Sequence, residues 1–418
     1  MAKNLNFWSA DCQVITRKRR LSVQKIVVNL IIMIKKSDFV LAPYMKSNDL
    51  RAAYKVLNTV VPYILLWFLA ARAAKFSLFL LPPIMVLIVL FSLRCFSLMH
   101  DCGHYSLFRS KRVNRVVGFI LGVINAIPQY PWSRGHAYHH KTNGDWEKYR
   151  GPSALISTEQ FAKLSPSGQN RYELLRHPLM LFPGGFFYLA IKPRLALIAG
   201  LYGFIGHLLT CIQENPSMDI KEIIYSYKSR NWYTAGEFVD ILFNNICVVG
   251  IWIYLGYLLG FGFFFGVYSI TLTFSAAIFI CIFFVQHNFD GSYAHKTEGW
   301  DYTLGALEGS SYLELPTVLK WFGANIGYHN IHHLSERIPN YNLEACHNEN
   351  GHLLTHVKKL KIADIPDCFQ FILWDASTDS LVSIASFRQS TVGGVNFSLE
   401  REAALILGET KISTRSTS

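Results

Sequence analysis

Four stretches of the chain carry almost no charge over the length of a membrane crossing, and they come in two pairs. Residues 76–99, 238–259 and 261–286 are apolar nearly throughout, and 56–71 is a shorter run of the same kind. A helix rises about 1.5 Å per residue, so about 20 residues cover roughly 30 Å of hydrocarbon. The turns within the pairs are short, 72–75 in the first and the glycine of Leu259-Gly260-Phe261 in the second. So few residues leave room only for a tight helical hairpin. The pattern predicts an all-α integral membrane protein with four transmembrane helices in two hairpins. Arg94 and Asp240 interrupt the apolar runs. Each costs about 2.5–3.5 kcal/mol at mid-bilayer, so both are expected near helix ends or facing a polar interior.

Between the hairpins, 100–237 mixes polar segments with two apolar pieces, 116–127 and 195–212. The first is too short to cross; the second is long enough. From residue 376 the chain turns polar and rich in Ser and Thr, which predicts a mobile tail over 376–418. The expected division is a basic segment 1–55, a membrane domain 56–375 and that tail.

Composition agrees with the spans: 51% of the 418 residues are hydrophobic and 14% aromatic. The net charge of +12 is concentrated at the start, where residues 1–55 hold eleven Lys and Arg, including Arg17-Lys18-Arg19-Arg20, against three Asp and Glu. Basic charge just before a first span fixes that end in the cytoplasm, so no nucleic-acid partner is implied. The apolar run 27–34 is too short for a signal peptide and is expected to lie along the interface. The eight cysteines are scattered without a Cys-x-x-Cys pair, which fits a reducing cytosolic face and gives no frame for a disulfide or an iron-sulfur cluster.

Three short clusters change the picture: His100-Asp101-Cys102-Gly103-His104, His136-Ala137-Tyr138-His139-His140 and His329-Asn330-Ile331-His332-His333. With fifteen histidines in the whole chain, chance places about half of one in those windows, so they call for a metal. His100 and His104 stand four apart, and each triplet is spaced i, i+3, i+4, so a helix presents every set on one face. Clusters that share a site must lie on one side of the membrane, separated by an even number of crossings. The second hairpin supplies two, so 116–127 and 195–212 are expected to be interfacial or re-entrant. With the basic end inside, both termini and a histidine-rich cap are cytosolic.

Eight imidazoles exceed what one tetrahedral zinc takes, whereas two iron ions with open positions for oxygen use them all. His287, at the cytosolic end of the fourth span, is a ninth candidate that its spacing alone leaves open. Glu344-x-x-His347 and Glu349-x-x-His352 stand too close together to come from facing helices of a carboxylate bundle. A histidine-rich metal transporter is the alternative of another class, but its ligands belong within spans, and these clusters lie among Asp, Asn, Lys and Arg at span ends. Trp132, Trp146 and Tyr149 suit the mouth of a substrate tunnel or an interfacial anchor equally.

The three boxes, in this order around a membrane hairpin, resemble the membrane fatty-acid desaturases over about residues 90–375. The likeness is strongest in His329-Asn330-Ile331-His332-His333-Leu334-Ser335 and Ile338-Pro339-Asn340-Tyr341-Asn342-Leu343. These resemble bacterial and cyanobacterial acyl-lipid desaturases of the delta-12 (omega-6) type. The resemblance implies a non-haem di-iron centre held by His100, His104, His136, His139, His140, His329, His332 and His333, with His287 added, and Asp101, Cys102 and Gly103 as box fillers. It further implies O2 as co-substrate, an acyl lipid of the membrane as substrate, and electrons from ferredoxin or a b5-type cytochrome. A fatty acid hydroxylase or a carotenoid ketolase or hydroxylase on the same scaffold keeps the boxes and stays open.

Overall fold

The computed structural model describes residues 34–151 and 154–390. The basic run 17–20, nearly all of 27–34 and the last part of the expected tail lie outside the described residues. The frame consists of α1 (Asp49–Phe76), α2 (Leu81–Gly103), the shorter α3 (Lys111–Ile124) and α4 (Gln129–Thr142), then α5 (Lys192–Glu214), α6 (Ala235–Leu259) and α7 (Phe261–Val285). Five helical stretches are long and apolar enough to cross a membrane, one more than the expected four: the fifth is the 37-residue stretch Pro178–Glu214.

α1 begins earlier than the apolar run because Asn48 caps it, its side-chain oxygen accepting the Arg51 amide at 3.0 Å. It also ends later. Arg72 and Lys75 stay helical with exposed side chains, so the turn falls at 77–80 rather than at 72–75. α6 opens with a capping box between Thr234 and Glu237. Gly260, at φ +87°, makes the turn into α7 in a conformation that side chains other than glycine resist. Arg94 faces the interior of the bundle: its Nε donates to Thr59 Oγ1 at 2.9 Å, its guanidinium lies 3.8 Å over the Trp321 ring, and it bonds the Trp321 carbonyl. Asp240 stands near the start of α6 and accepts the Tyr130 amide at 3.0 Å.

α3 and α4 form a hairpin whose tip lies among the long helices. The tip of α3 reaches midway along the long helices, where Ile124 packs with Tyr63, Ile88 and Val267. A chain reversal at that depth exposes carbonyls that no water serves, so side chains must serve them. Asn125 Nδ2 bonds the Leu121 carbonyl at 3.0 Å, Arg194 Nη1 the Ala126 carbonyl at 2.6 Å and Asn244 Nδ2 the Ile127 carbonyl at 3.1 Å. Arg194 and Asn244 are themselves joined at 2.8 Å.

The segments that flank Pro178–Glu214 meet the same end of the bundle. Ahead of it, the Tyr172 hydroxyl donates to the Ile372 carbonyl at 2.6 Å; behind it, Tyr227 bonds Gly200 at 2.7 Å and Trp232 packs on Phe238 at the start of α6. In between, the stretch lies against α7, with Phe182 beside Phe274 at 5.2 Å, and carries a π turn at Phe187–Ile191 followed by Pro193.

The cap corrects two expectations. It is not all helix: beside α8 (His329–Leu334) and α9 (Asn340–Glu349) it holds β1 (Ile156–Ser157), β2 (Tyr312–Glu314), β3 (Lys359–Lys361), β4 (Phe371–Asp375) and β5 (Ser380–Ser383). These make two small sheets, β1-β4-β5 and β2-β3, each closing a cross-chain pairing that local pattern does not announce. Nor does the packed chain stop at 375. β5 pairs antiparallel with β4, Leu381 and Ile384 are buried, and 384–390 is helical.

Candidate metal centre

Each histidine cluster sits where a helix meets the cap. α2 ends with His100 and His104 one turn apart, α4 carries His136, His139 and His140 in its last turns, α8 carries His329, His332 and His333, and His287 follows the C-cap of α7. The fold brings all nine together in two groups. His100, His104, His136, His140 and His332 form one; His139, His287, His329 and His333 form the other, and within each the ring nitrogens lie within 4.8 Å of one another.

The spacing within these groups has a chemical meaning. Nε2 atoms face each other at 3.3 Å between His100 and His104, 3.1 Å between His136 and His140, 3.1 Å between His139 and His287, and 3.0 Å between His287 and His329. Two nitrogens bound at about 2.1 Å to one ion at a right angle stand about 3 Å apart. His332 has no hydrogen-bond partner on either ring nitrogen although it is only 1% exposed. A buried polar atom without a partner costs free energy that a coordinate bond removes. The residues present therefore fit metal ions.

Protonation points the same way. Burial, followed by repulsion between neighbouring imidazoles, holds His136, His139, His140, His329, His332 and His333 well below the usual histidine range. Burial pushes His287 down to about 4, against a hydrogen bond to the Gly309 carbonyl that raises it. Neutral rings keep the lone pair that a metal needs.

A second layer orients the rings. His287 Nδ1 donates to the Gly309 carbonyl at 2.8 Å, which leaves Nε2 for the centre. His100 Nδ1 lies 3.2 Å from Asp101 Oδ1, and Asp101 Oδ2 accepts the backbone amide of Asn340 at 2.8 Å and its side-chain amide at 2.7 Å. His104 Nδ1 pairs with Glu336 at 3.3 Å, and that hydrogen bond holds the Glu336 carboxyl below its ordinary range. The Tyr302 hydroxyl donates to the His333 carbonyl at 2.8 Å. Sequence reasoning treated Asp101 as filler and missed Asn340, Glu336 and Gly309. Two of these four carried a signal in the sequence: Asp101 is a carboxylate beside a box histidine, and Asn340 is a polar residue in the motif just beyond the third box.

Aromatic rings close the membrane side. Trp132 stacks on His136 at 4.7 Å, Phe283 lies 5.6 to 5.8 Å from His100, His136 and His329, and Phe96 stacks on Phe279 at 3.8 Å. Tyr149 packs on His139 at 4.6 Å and Trp146 stacks on Trp374 at 4.7 Å, and both line a small cavity in the cap that reaches His287. His347 stands apart from both groups, against Tyr312 and Tyr328.

Comparison with known proteins places this arrangement. The family described as Fatty acid desaturase matches residues 76–360, which contain all nine histidines. A fatty acid desaturase of Bacillus subtilis (strain 168) is 29% identical over 352 residues, covering 84% of this chain and 91% of that protein. A chloroplastic omega-6 fatty acid desaturase of Brassica napus is 23% identical over 302 residues, 72% of this chain and 60% of the relative. An sn-1 acyl-lipid omega-3 desaturase (ferredoxin) of Nostoc sp. (strain 36) is 24% identical over 251 residues, 58% of this chain and 60% of the relative. The match spans most of the chain and encloses both histidine groups, so this protein belongs to the fatty acid desaturase family.

Proposed function

We propose that the chain is an oxygen-dependent desaturase that introduces a cis double bond, at the delta-12 (omega-6) position, into an acyl chain of a membrane lipid. The observation that carries this reading is the pair of buried, all-imidazole groups lying against an aromatic floor at the membrane ends of α2 and α7. His100, His104, His136, His140 and His332 would hold one iron, and His139, His287, His329 and His333 the other. Iron bound there supplies, with O2, the oxidising power that no side chain has for an unactivated methylene.

In sum, a CH2–CH2 unit, O2, two electrons and two protons become CH=CH and two waters. The chain's own residues do the rest. Asp101, Glu336 and the Gly309 carbonyl hold three rings by their Nδ1 atoms, which keeps Nε2 free and fixes its direction. Phe96, Phe279 and Phe283 give the acyl chain an apolar path and keep bulk water from the centre. Electrons come from ferredoxin or a b5-type cytochrome, and the ferredoxin named for the Nostoc relative supports the first. The position rests on the Ile338–Leu343 motif; relatives of omega-3 and omega-6 type both occur among the matches.

The topology belongs to the same proposal. α1, α2, α6 and α7 cross the bilayer, Pro178–Glu214 and the α3–α4 hairpin dip and return, and the cap with both termini is cytoplasmic. Residues 56–375 are the catalytic unit, which the packed segment up to 390 extends.

Expression in a host of known fatty-acid composition, beside a His139→Ala control, tests the function. A new diene made by the wild type alone, located by mass spectrometry of derivatised esters, is expected. A hydroxylated or keto product moves the protein to that chemistry, and a purified protein that takes up no iron refutes the reading altogether.

A further inference from the structure

α3 has two faces. Gly118, Leu121 and Gly122 face inward, and a Cβ at Gly118 would lie 3.0 Å from Cys102 of α2 and 3.1 Å from Gln129 of α4. Those neighbours belong to the elements that carry His100, His104 and His136. The other face, with Phe119, Ile120 and Val123, lines an apolar cavity of about 580 Å³ that Trp67 of α1 and Trp252 of α6 help to close. The body of α3 therefore stands between this cavity and α2 and α4, which carry five of the nine histidines; α7 lines it only at Phe264 and Tyr268, about five turns before His287, and none of the nine histidines lines it. The cavity opens sideways, toward where lipid lies: Ile64 is 48% exposed, Ile120 51% and Tyr254 65%, while Phe264 at its back is 1% exposed.

Charge stands above this slot. Arg112, Val116, Ile120 and Val123 follow the i, i+4, i+8, i+11 spacing of one helical stripe, so the stripe that lines the cavity ends in a guanidinium about 12 Å nearer the cap. Lys111, Arg112 and Arg115 are all exposed. Arg115 lies 4.6 Å over the Tyr130 ring and Lys111 6.0 Å from the Tyr105 ring; among the described residues none of the three makes a salt bridge, and Arg112 has no partner. An apolar slot open to the bilayer with guanidinium groups at its headgroup end matches an acyl chain that carries a phosphate, since guanidinium pairs with phosphate through two parallel hydrogen bonds.

We propose that this lateral crevice binds a bilayer glycerophospholipid other than the reacting one, with an acyl chain against Phe119, Ile120 and Val123 and its phosphate at Lys111, Arg112 and Arg115. The site goes beyond the desaturase reading and rests only on the membrane placement of α1 and α6. Because α3 and α4 are one hairpin, a lipid seated on α3 braces the element that carries His136, His139 and His140.

Native mass spectrometry of the full chain, released from micelles containing dioleoyl phosphatidylglycerol, reads the site directly. The wild type should retain one phospholipid. Val123→Trp, which fills the slot, and Arg112→Glu, which reverses an exposed charge without touching the core, should each lower the retained fraction at least fivefold, and Lys163→Glu in the cap should leave it unchanged. His139→Ala should retain the lipid as the wild type does, which separates this site from the metal centre. Unchanged retention in both Val123→Trp and Arg112→Glu overturns the proposal. Loss in Val123→Trp alone, with oleic acid held as well as the phospholipid, overturns the phosphate assignment.

Discussion

Asp101 binds no metal in this arrangement, yet it joins two of the three histidine boxes: one oxygen faces His100 and the other accepts both amides of Asn340, just beyond the third box. Such outer carboxylates typically govern metal affinity by 10- to 100-fold. Asp101→Ala is expected to weaken iron retention by about that factor in a chelator competition, with activity falling in parallel. Asn340→Ala, which keeps the backbone hydrogen bond, should fall between it and wild type. A different residue sets a pH dependence. Burial pushes the Glu308 carboxyl up to about 7, with His356 3.4 Å away. Its folded pKa lies above the unfolded value near 4.5, so the folded state binds more protons in between; the stability it contributes is present below about 4.5 and lost as pH rises through 7. Glu308→Gln should therefore lose less melting temperature than wild type between pH 5 and pH 8. An identical pH slope in the two proteins would show that this carboxyl is solvated.

At the level of elements, the α3–α4 hairpin places a third of the site, and its tip depends on side chains from α5 and α6. Removing the Asn244 amide leaves the Ile127 carbonyl and one Arg194 nitrogen without partners in a dry setting, a loss of about 1–3 kcal/mol. Asn244→Leu should lower the thermal midpoint and the iron content together, because the hairpin carries His136, His139 and His140; a lowered midpoint at full iron loading would separate the tip from the centre. The long apolar helices and the three boxes were legible because a 20-residue apolar run and an i, i+3, i+4 spacing are local signals. That 116–127 is interfacial or re-entrant was argued from sidedness rather than from pattern; the structure shows a hairpin tip packed among the long helices. What escaped was non-local. β1 meets β4 across more than 200 residues, with Ile156 opposite Leu373, and two or three paired residues leave no periodicity to read. The polar look of 376–390 misled for a related reason: β5 alternates buried and half-exposed positions, so only every second residue shows the packing.

For the whole molecule, the nitrogens impose a constraint on sidedness. His139 on α4 and His287 after α7 stand 3.1 Å apart at Nε2, although Pro178–Glu214, α6 and α7 lie between them in the chain. α6 and α7 form one hairpin and return the chain to the side it left. If Pro178–Glu214 crossed once, the two rings would be separated by the thickness of the bilayer, about 30 Å of hydrocarbon. The proposed four-span arrangement has it cross an even number of times, in keeping with the ties of its flanking segments to the cap at Tyr172 and to the start of α6 through Trp232. Single cysteines in a variant without native cysteines test this with a membrane-impermeant maleimide on vesicles of known orientation. Ser167→Cys in the cap and Ser217→Cys after α5 should label from the same side, and Gly262→Cys beside the α6–α7 turn from the other. Label reaching Ser217→Cys only from the side opposite Ser167→Cys, with Gly262→Cys then labelled from the Ser167 side, would sink the four-span arrangement. It would also mean that the two histidine groups cannot form one centre within a single chain, since the crossing that moves residue 217 moves His287 with it.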